Sequence, residues 1–121
     1  MSLTSSLRRL FGSTDDGNDT LRPTIGAARA LELVRDGAAL LDVRERAEWN
    51  TGHAPQALHV PLGEIDKAPR RLTQDTPVVV MCASGMRSRS AAKHLRKLGF
   101  EATSLSGGIG AWQAAGGAVR R

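Results

Sequence analysis

The sequence predicts an α/β fold in which helices cover both faces of a parallel sheet. Short apolar segments of strand type alternate along the chain with segments of helical periodicity. The clearest strand is the segment 77–82, Pro-Val-Val-Val-Met-Cys, which is unbroken, rich in β-branched residues and bounded by turn residues. The length of 121 residues suits one domain with its own hydrophobic core.

The first predicted elements are a helix and a buried strand. Thr24 is a favourable N-cap, and apolar residues at helical spacing continue from it to about Arg35. Gly37 ends this helix. The apolar segment 38–43 contains Asp42 near its end, which indicates a buried parallel strand with an acid at its carboxyl end.

Three shorter elements are expected next. A helical turn or two over 45–50 is closed by a glycine, and a brief strand over 58–60 is stopped by a proline. The segment 62–72 has helical periodicity, and Pro69 is expected to end or kink it because proline lacks the amide hydrogen.

The second half of the chain predicts a strand, a helix, a strand and a helix. After the strand 77–82, a helix over 88–98 buries Ala91, Leu95 and Leu98 and places basic residues outward. A strand over 101–105 and a short helix over 109–115 follow. Together with the first half, this pattern places the carboxyl ends of the strands, where such sheets bind ligands, near Asp42 and Cys82.

The domain organisation predicted from composition is simple. Residues 1–21 are expected to form a flexible N-terminal tail because the segment 12–20 is polar and rich in turn residues. The folded domain is expected over 22–117, and residues 118–121 form a C-terminal tail.

Several classes of protein are disfavoured by the composition. A single cysteine excludes an internal disulfide and fits a reducing compartment, so a cytoplasmic location is expected. The three histidines lack the spacing of a zinc site, and neither a metal nor another cofactor is expected. The longest apolar run, 78–83, has six residues, whereas a membrane-spanning helix needs about 20, so no membrane association is expected.

The positive charge is concentrated in the second part of the chain. The net charge is +5, and from Cys82 onward there are seven basic residues against one acid. Aromatic residues are too few and too scattered for a platform that stacks nucleobases, so no nucleic-acid partner is expected. A small anionic substrate is the simpler explanation. A monomer is expected because the sequence has no exposed apolar repeat.

The candidate reactive group is Cys82, at the end of the strongest strand. A loop of small residues containing Gly85 follows and leads into a helix, so backbone amides and the positive end of the helix dipole face the sulfur. Such surroundings stabilise a thiolate. Arg87 adds a planar guanidinium that can hold two oxygens of an oxyanion. A lone cysteine at a strand end is usually an inert apolar residue, but this arrangement favours a functional one.

Three motifs resemble those of the rhodanese domain, in particular the single-domain rhodanese-like sulfurtransferases. The segment 42–57 is similar to the first motif of the family, 82–88 to its active-site loop and 105–112 to its C-terminal motif. The resemblance extends over about residues 22–117 and implies a five-stranded parallel sheet with helices on both faces.

The resemblance also implies a sulfur transfer in two steps. Cys82 would take the outer sulfur of a small anionic donor such as thiosulfate and pass it, as a persulfide, to cyanide, a thiol or a protein acceptor. The persulfide would be held by the backbone amides of the loop, and Arg87 would orient the donor's oxyanion. The loop residues concerned are Ala83, Ser84, Gly85, Met86, Arg87 and Ser88.

The loop length and one substitution refine this expectation. Four residues separate Cys82 from Arg87, whereas phosphatases with this fold have a loop one residue longer, so sulfur chemistry is favoured over phosphate chemistry. Ala83 stands where several family members carry a basic residue, which leaves the donor open. A sulfur carrier that relays persulfide between proteins is therefore kept as an alternative to an enzyme. A binding module without catalysis is disfavoured because Cys82 is present.

Two charged residues near the first motif are expected to support the site. Asp42 is expected to pair with Arg44 or a loop amide. The resemblance suggests that Arg44 makes a structural ion pair, with Glu48 as a candidate partner. His53 is expected to hydrogen-bond a loop, because a thiolate that is already formed needs no catalytic base.

Overall fold

The computed structural model describes residues 21–121. The expected N-terminal tail lies outside the described residues except for Leu21, which is buried in the core. The segment 118–121, expected to be a C-terminal tail, is instead attached to the domain, because the backbone of Arg120 pairs with that of His53 and the carbonyl of Ala118 accepts a hydrogen bond from the Trp112 indole. The strands are β1 (Thr24–Ile25), β2 (Ala39–Asp42), β3 (Leu58–His59), β4 (Val78–Met81) and β5 (Ala102–Leu105). The helices are α1 (Ala27–Arg35), α2 (Arg46–Asn50), a 3₁₀ helix (Leu62–Arg71), α3 (Met86–Lys97) and α4 (Gly108–Ala114).

The five strands form one parallel sheet in the order β1-β5-β4-β2-β3, which confirms the predicted fold class. All four residues of β4 are fully buried because this strand lies at the centre of the sheet. Its all-apolar sequence is explained by this position, since both faces of the strand are covered by protein.

Two apolar clusters fill the two faces of the sheet. One contains side chains of α1 and α4, including Leu33 and Trp112. The other contains side chains of α3 and the 3₁₀ helix, including Leu95 and Ala68. These four helices therefore cover the two faces in pairs, and the carboxyl ends of the strands remain as the edge where α3 and α4 begin. Within residues 21–121, no helix is long and apolar enough to cross a membrane.

The prediction that Thr24 caps the first helix is wrong. Thr24 lies in β1, opposite Ser104 of β5, and Gly26 is the N-cap of α1. The amide of Ser104 bonds to the carbonyl of Pro23, and the amide of Ser106 bonds to that of Ile25. Pairing with β5 thus satisfies backbone groups at the sheet edge, a gain that the local preference of threonine for capping does not reveal.

Three other predicted boundaries also need correction. Pro69 neither ends nor kinks its segment; the segment is a 3₁₀ helix, and its irregular backbone lies at Glu64. The helix α3, predicted over 88–98, begins at Met86 because Gly85 forms its N-cap with φ of 111°. Leu98 is not buried but 43% exposed, since the helix has already ended at Lys97.

A buried ion pair fixes the carboxyl end of β2. The Arg44 guanidinium donates to both Asp42 carboxylate oxygens, with Nη2 2.8 Å and Nε 3.1 Å from Oδ2. The same guanidinium donates to the carbonyl oxygens of Gly52, at 2.8 Å, and Glu48, at 3.2 Å. The ion-pair partner of Arg44 is therefore Asp42 and not the Glu48 carboxylate. Asp42 is the last residue of β2, only two positions before Arg44, so its carboxylate lies within reach of both Nε and Nη2 of the guanidinium.

We expect Asp42→Leu to lower the free energy of unfolding by about 3–5 kcal/mol, because Arg44 would remain buried without a counter-charge. The double variant Asp42→Leu/Arg44→Met should lose less than Asp42→Leu alone, since it buries no charge. Denaturant unfolding measures both values. Glu64→Ala, which removes the exposed Glu64–Lys67 pair, is the control and should change stability by less than about 0.5 kcal/mol. A double variant that loses as much stability as Asp42→Leu alone, or more, would contradict this account.

Candidate active site

Cys82 follows β4 directly at the carboxyl edge of the sheet. Its side chain has no solvent-exposed surface. The neighbouring strand end is held close, because the amide of Val43 bonds to the carbonyl of Met81 at 2.9 Å. The parallel sheet therefore brings Asp42 and Cys82, forty positions apart in the sequence, to the same edge.

The loop after Cys82 turns back over the sulfur. Gly85 has a positive φ that favours glycine, and its amide lies 3.0 Å from Cys82 Sγ. The amide of Ser88, in the first turn of α3, lies 3.3 Å from the same sulfur. Ala83, Ser84 and Met86 are exposed on the outside of this turn. The amides of Gly85 and Ser88 thus converge on the sulfur.

The balance of these contacts favours the thiolate. Burial raises the pKa of Cys82, but hydrogen bonds from the hydroxyl and amide of Ser88 oppose it, followed by those from the amides of Gly85 and Ser84. The net effect lowers the pKa of Cys82 below the ordinary value of a thiol. The site can therefore hold an anionic sulfur without a neighbouring base.

Ser88 and Ser104 form a buried hydroxyl pair behind the sulfur. Ser88 Oγ lies 3.5 Å from Cys82 Sγ, 2.7 Å from Ser104 Oγ and 3.1 Å from the carbonyl oxygen of Gly85. A serine hydroxyl has one hydrogen, so it donates to one of these acceptors at a time. When the Ser88 hydroxyl donates to a thiolate, the Ser104 hydroxyl can donate to Ser88 Oγ. Ser104 was not predicted from the sequence because it belongs to a different strand, β5.

The Arg87 guanidinium is held by Glu48. Nη1 lies 2.7 Å from Oε1, and Nη2 lies 2.9 Å from Oε2, so the two planar groups face each other. The side chains of Arg87 and Glu48 are 32% and 35% exposed, respectively. The sequence suggested Arg44 as the partner of Glu48, and the pairing with Arg87 connects the active-site loop to α2 instead.

Glu48 is positioned by the start of α2. Its carboxylate also accepts the amide hydrogen of Glu45 at 2.9 Å, which forms a capping box at the helix N-terminus. The hydrogen bond from Arg87 lowers the pKa of Glu48 from its usual 4.5 to about 2, although partial burial opposes the shift. The carboxylate in turn raises the pKa of Arg87. Both groups are therefore charged at neutral pH.

The third motif supports the loop from behind. A β-carbon at Gly108 would overlap the carbonyl of Ala83, so only glycine fits this close approach. The amide of Ile109, in the first turn of α4, bonds to the carbonyl of Cys82 at 2.9 Å. Gly108 is thus explained by the packing of one backbone against another, whereas Gly107 has a positive φ of 85° and lies against the side chain of Ala111.

The histidine of the first motif packs against tryptophan. Trp49 stacks on His53 with ring centroids 3.6 Å apart and on His59 at 4.6 Å. His53 Nδ1 bonds to the carbonyl of Trp49 at 3.0 Å, and its backbone pairs with Arg120. These contacts give His53 a structural position. Among residues 21–121, no group of three or more histidine, cysteine or acidic residues is placed to hold a metal ion.

Comparison with known proteins gives consistent matches. The model of the rhodanese-like domain family matches residues 26–115. The candidate sulfurtransferase YtwF of Bacillus subtilis (strain 168) is 40% identical over 74 residues, which are 61% of this chain and 72% of YtwF. The candidate sulfur carrier protein YrkF of the same organism is 40% identical over 62 residues, which are 51% of this chain and only 34% of YrkF. The crystal structure of a rhodanese-related protein from Thermoplasma volcanium has a TM-score of 0.73 at 31% identity, covering 82% of this chain and 98% of that chain.

We expect Ser88→Ala to raise the pKa of Cys82, because the thiolate loses its hydroxyl donor. Ser104→Ala should raise it by a smaller amount, since the Ser88 hydroxyl would then lose its own donor. The rate of alkylation by iodoacetamide as a function of pH reports each pKa. Ser90→Ala, at an exposed position on α3, is the matched control and should leave the profile unchanged. An unshifted profile for Ser88→Ala would contradict the network.

We expect Glu48→Gln to lower the free energy of unfolding at neutral pH by about 1 kcal/mol, because water screens a pair whose side chains are one-third exposed. Since folding lowers the pKa of Glu48 from 4.5 to about 2, the pair's contribution is complete above pH 4.5 and is lost as the pH falls towards 2. Denaturant unfolding of both proteins across this range measures the difference. Glutamine can still accept the Glu45 amide, so the capping box is retained. A difference that does not shrink below pH 4.5 would contradict this assignment.

Proposed function

The chain belongs to the rhodanese-like domain family, and from this premise we propose that it is a sulfurtransferase in which Cys82 carries sulfur as a persulfide. The observation that carries the proposal is the convergence of the Gly85 and Ser88 amides on the Cys82 sulfur. The similarity to YtwF supports the same class of activity.

The proposed reaction has two displacement steps. The Cys82 thiolate attacks the outer sulfur of thiosulfate, the S–S bond of thiosulfate breaks, and sulfite leaves with the electron pair. A thiolate or cyanide then attacks the outer sulfur of the Cys82 persulfide, and Cys82 leaves as a thiolate. The sulfur moves without any net oxidation or reduction of the protein.

The loop geometry supports the persulfide state. Extending Cys82 by one sulfur atom places new negative charge within the turn formed by Ala83, Ser84, Gly85, Met86, Arg87 and Ser88. Amide donors fixed by the Gly85 turn and the start of α3 would stabilise that charge without reorganising. Four residues between Cys82 and Arg87 make a compact loop, which favours a single sulfur atom over a phosphate group.

Access to the sulfur is a requirement of this proposal. Because Cys82 has no exposed surface, a donor reaches it only when the loop shifts. The side chains on the outside of this loop, those of Ala83 and Ser84, are small and exposed. We propose that Asp42 and Arg44 support the site by keeping the neighbouring strand end rigid during that movement.

Arg87 is proposed to act chiefly as a positioning residue. Its pair with Glu48 ties the first turn of α3 to α2 and so fixes the loop. A guanidinium has five N–H donors, and the Glu48 carboxylate occupies two of them. The remaining donors stay available to orient the oxyanion of a donor such as thiosulfate.

A sulfur carrier is the second candidate. Ala83 offers no side-chain ligand to a small oxyanion, and the sulfur is covered, which favours a donor presented by a protein. The similarity to the candidate carrier YrkF is consistent with this function, although the chain spans about a third of YrkF. In that case a cysteine desulfurase, and not thiosulfate, would supply the persulfide.

We expect thiosulfate to add one sulfur atom, about 32 Da, to the intact protein, and Cys82→Ser to show no gain. Intact-mass spectrometry measures the change, and subsequent cyanide should remove the added mass and release thiocyanate. Ser90→Ala is a matched control that should load normally.

Three substrates distinguish the thiosulfate-using enzyme, the sulfur carrier and a phosphatase: thiosulfate, cysteine with a desulfurase, and an aryl phosphate. A gain with cysteine and a desulfurase, but none with thiosulfate, would identify a sulfur carrier. If neither donor increases the intact mass and the protein hydrolyses an aryl phosphate, the proposal is overturned in favour of phosphatase chemistry.

A further inference from the structure

We propose that the outward face of α3, formed by Met86, Arg89, Lys93 and Lys97, docks an acidic protein segment whose cysteine exchanges sulfur with Cys82. This inference rests on the proposed function and names the class of partner for the same site. It is carried by two observations, an unpaired row of positive charge and an exposed apolar side chain at the end of that row nearest the sulfur.

The helical geometry places these side chains together. Ser88, Ala91, Ala92 and Leu95 are buried and define the inner side of α3. At about 100° per residue, Met86, Lys93 and Lys97 lie within about 30° of the opposite direction, and Arg89 flanks them at about 70°. All four are exposed, so they form one continuous outward face.

The charges on this face are not neutralised within the part of the chain that the structure describes. The sequence of α3 contains five Lys/Arg residues and no acid. Two of them have defined partners, since Arg87 pairs with Glu48 and Arg96 donates to the carbonyl of Ala102. Arg89, Lys93 and Lys97 have no ion pair within residues 21–121.

The folded state gains little from this row. Like charges four residues apart, such as Arg89 and Lys93 or Lys93 and Lys97, destabilise a helix. Arg89 also lies in the first turn of α3, where the helix dipole disfavours a cation. Only Lys97, in the last turn, is favoured by the dipole. An interaction with an external anionic partner explains an arrangement that the stability of the helix does not.

Met86 adds an apolar contact beside the reactive loop. Its side chain is 69% exposed, whereas the large apolar side chains of the core are buried. It directly follows Gly85, whose amide bonds to the Cys82 sulfur. Methionine is flexible and polarizable, and it suits protein surfaces that accept a partner's apolar groups. A partner segment would therefore place an apolar residue on Met86 and its acids along the helix.

The dimensions of the face define the partner. Met86 and Lys97 are separated by roughly 16 Å along the helix axis, a distance that about five extended residues span. Small anionic donors are shorter than this and contact at most one end of the row. Charge complementarity over this length therefore indicates an acidic peptide segment with a cysteine near the Met86 end.

The test uses two nine-residue peptides that carry one terminal cysteine. One contains glutamate and aspartate, and the other has glutamine and asparagine in their places. Protein loaded with the persulfide is freed of donor and mixed with each peptide, and loss of the 32 Da increment is followed by intact mass. We expect wild-type protein to react about tenfold faster with the acidic peptide, and less so at high salt.

Matched charge reversals locate the effect on α3. Lys97→Glu should slow the acidic-peptide reaction about threefold, and Lys93→Glu/Lys97→Glu about tenfold. Arg35→Glu, an equal charge reversal on the opposite face of the sheet, should leave that reaction unchanged. Loading by thiosulfate should be unchanged in Lys97→Glu, because Lys97 lies roughly 16 Å from the loop end of α3 and the screening length at physiological salt is about 8 Å.

The outcomes separate this inference from the proposed function. If wild-type protein forms no persulfide, the proposed function fails, and anisotropy of a labelled cysteine-free acidic peptide still tests the face. Equal slowing by Arg35→Glu and Lys97→Glu, or equal rates with both peptides, would overturn the docking surface. Displacement of the labelled peptide by an equal concentration of a nine-nucleotide DNA strand would overturn it in favour of a nucleic-acid surface.

Discussion

The stabilisation of a buried sulfur anion is the constraint on which the rest of this structure depends. Cys82 lies below the surface, where burial alone would favour the neutral thiol. The opposing donors come from the turn at Gly85 and from the first turn of α3. Both are fixed by the carboxyl edge of the sheet, where β4 stops and Gly108 supports the loop from behind. The parallel sheet therefore supplies donors that are already oriented when the sulfur becomes charged.

Two ion pairs near this edge differ in what they can contribute. Asp42 and Arg44 are almost completely buried, so each strictly requires the other and their pairing sets the shape of the edge. Glu48 and Arg87 retain about one third of their exposure, so water screens the pair and its separation is less unfavourable. The first pair thus holds the carboxyl end of β2 rigidly. The second pair, which ties the first turn of α3 to α2, is the weaker of the two connections.

The sequence predicted the parallel α/β fold because its strands are short, apolar and separated by helical segments. It also predicted the position of Cys82, since a strand followed by small residues and a helix defines the loop locally. The pairing of Arg87 with Glu48 and of Ser88 with Ser104 was missed, because these partners meet only when distant elements assemble. At Thr24 a local signal gave a wrong prediction for the same reason, since its preference for capping a helix is outweighed by the pairing between β1 and β5.

The location of the positive charge changes how the chemistry of this site is understood. The excess of basic residues after Cys82 first suggests a cationic pocket for a small anion. Arg87, the basic residue nearest the loop, is instead neutralised by Glu48, and Ala83 provides no charge. The thiolate therefore depends on amide and hydroxyl dipoles, which act over short distances and do not attract a distant anion. Long-range attraction remains with the outward face of α3, so the recognition of a partner that we propose and the stabilisation of the sulfur belong to opposite sides of one helix.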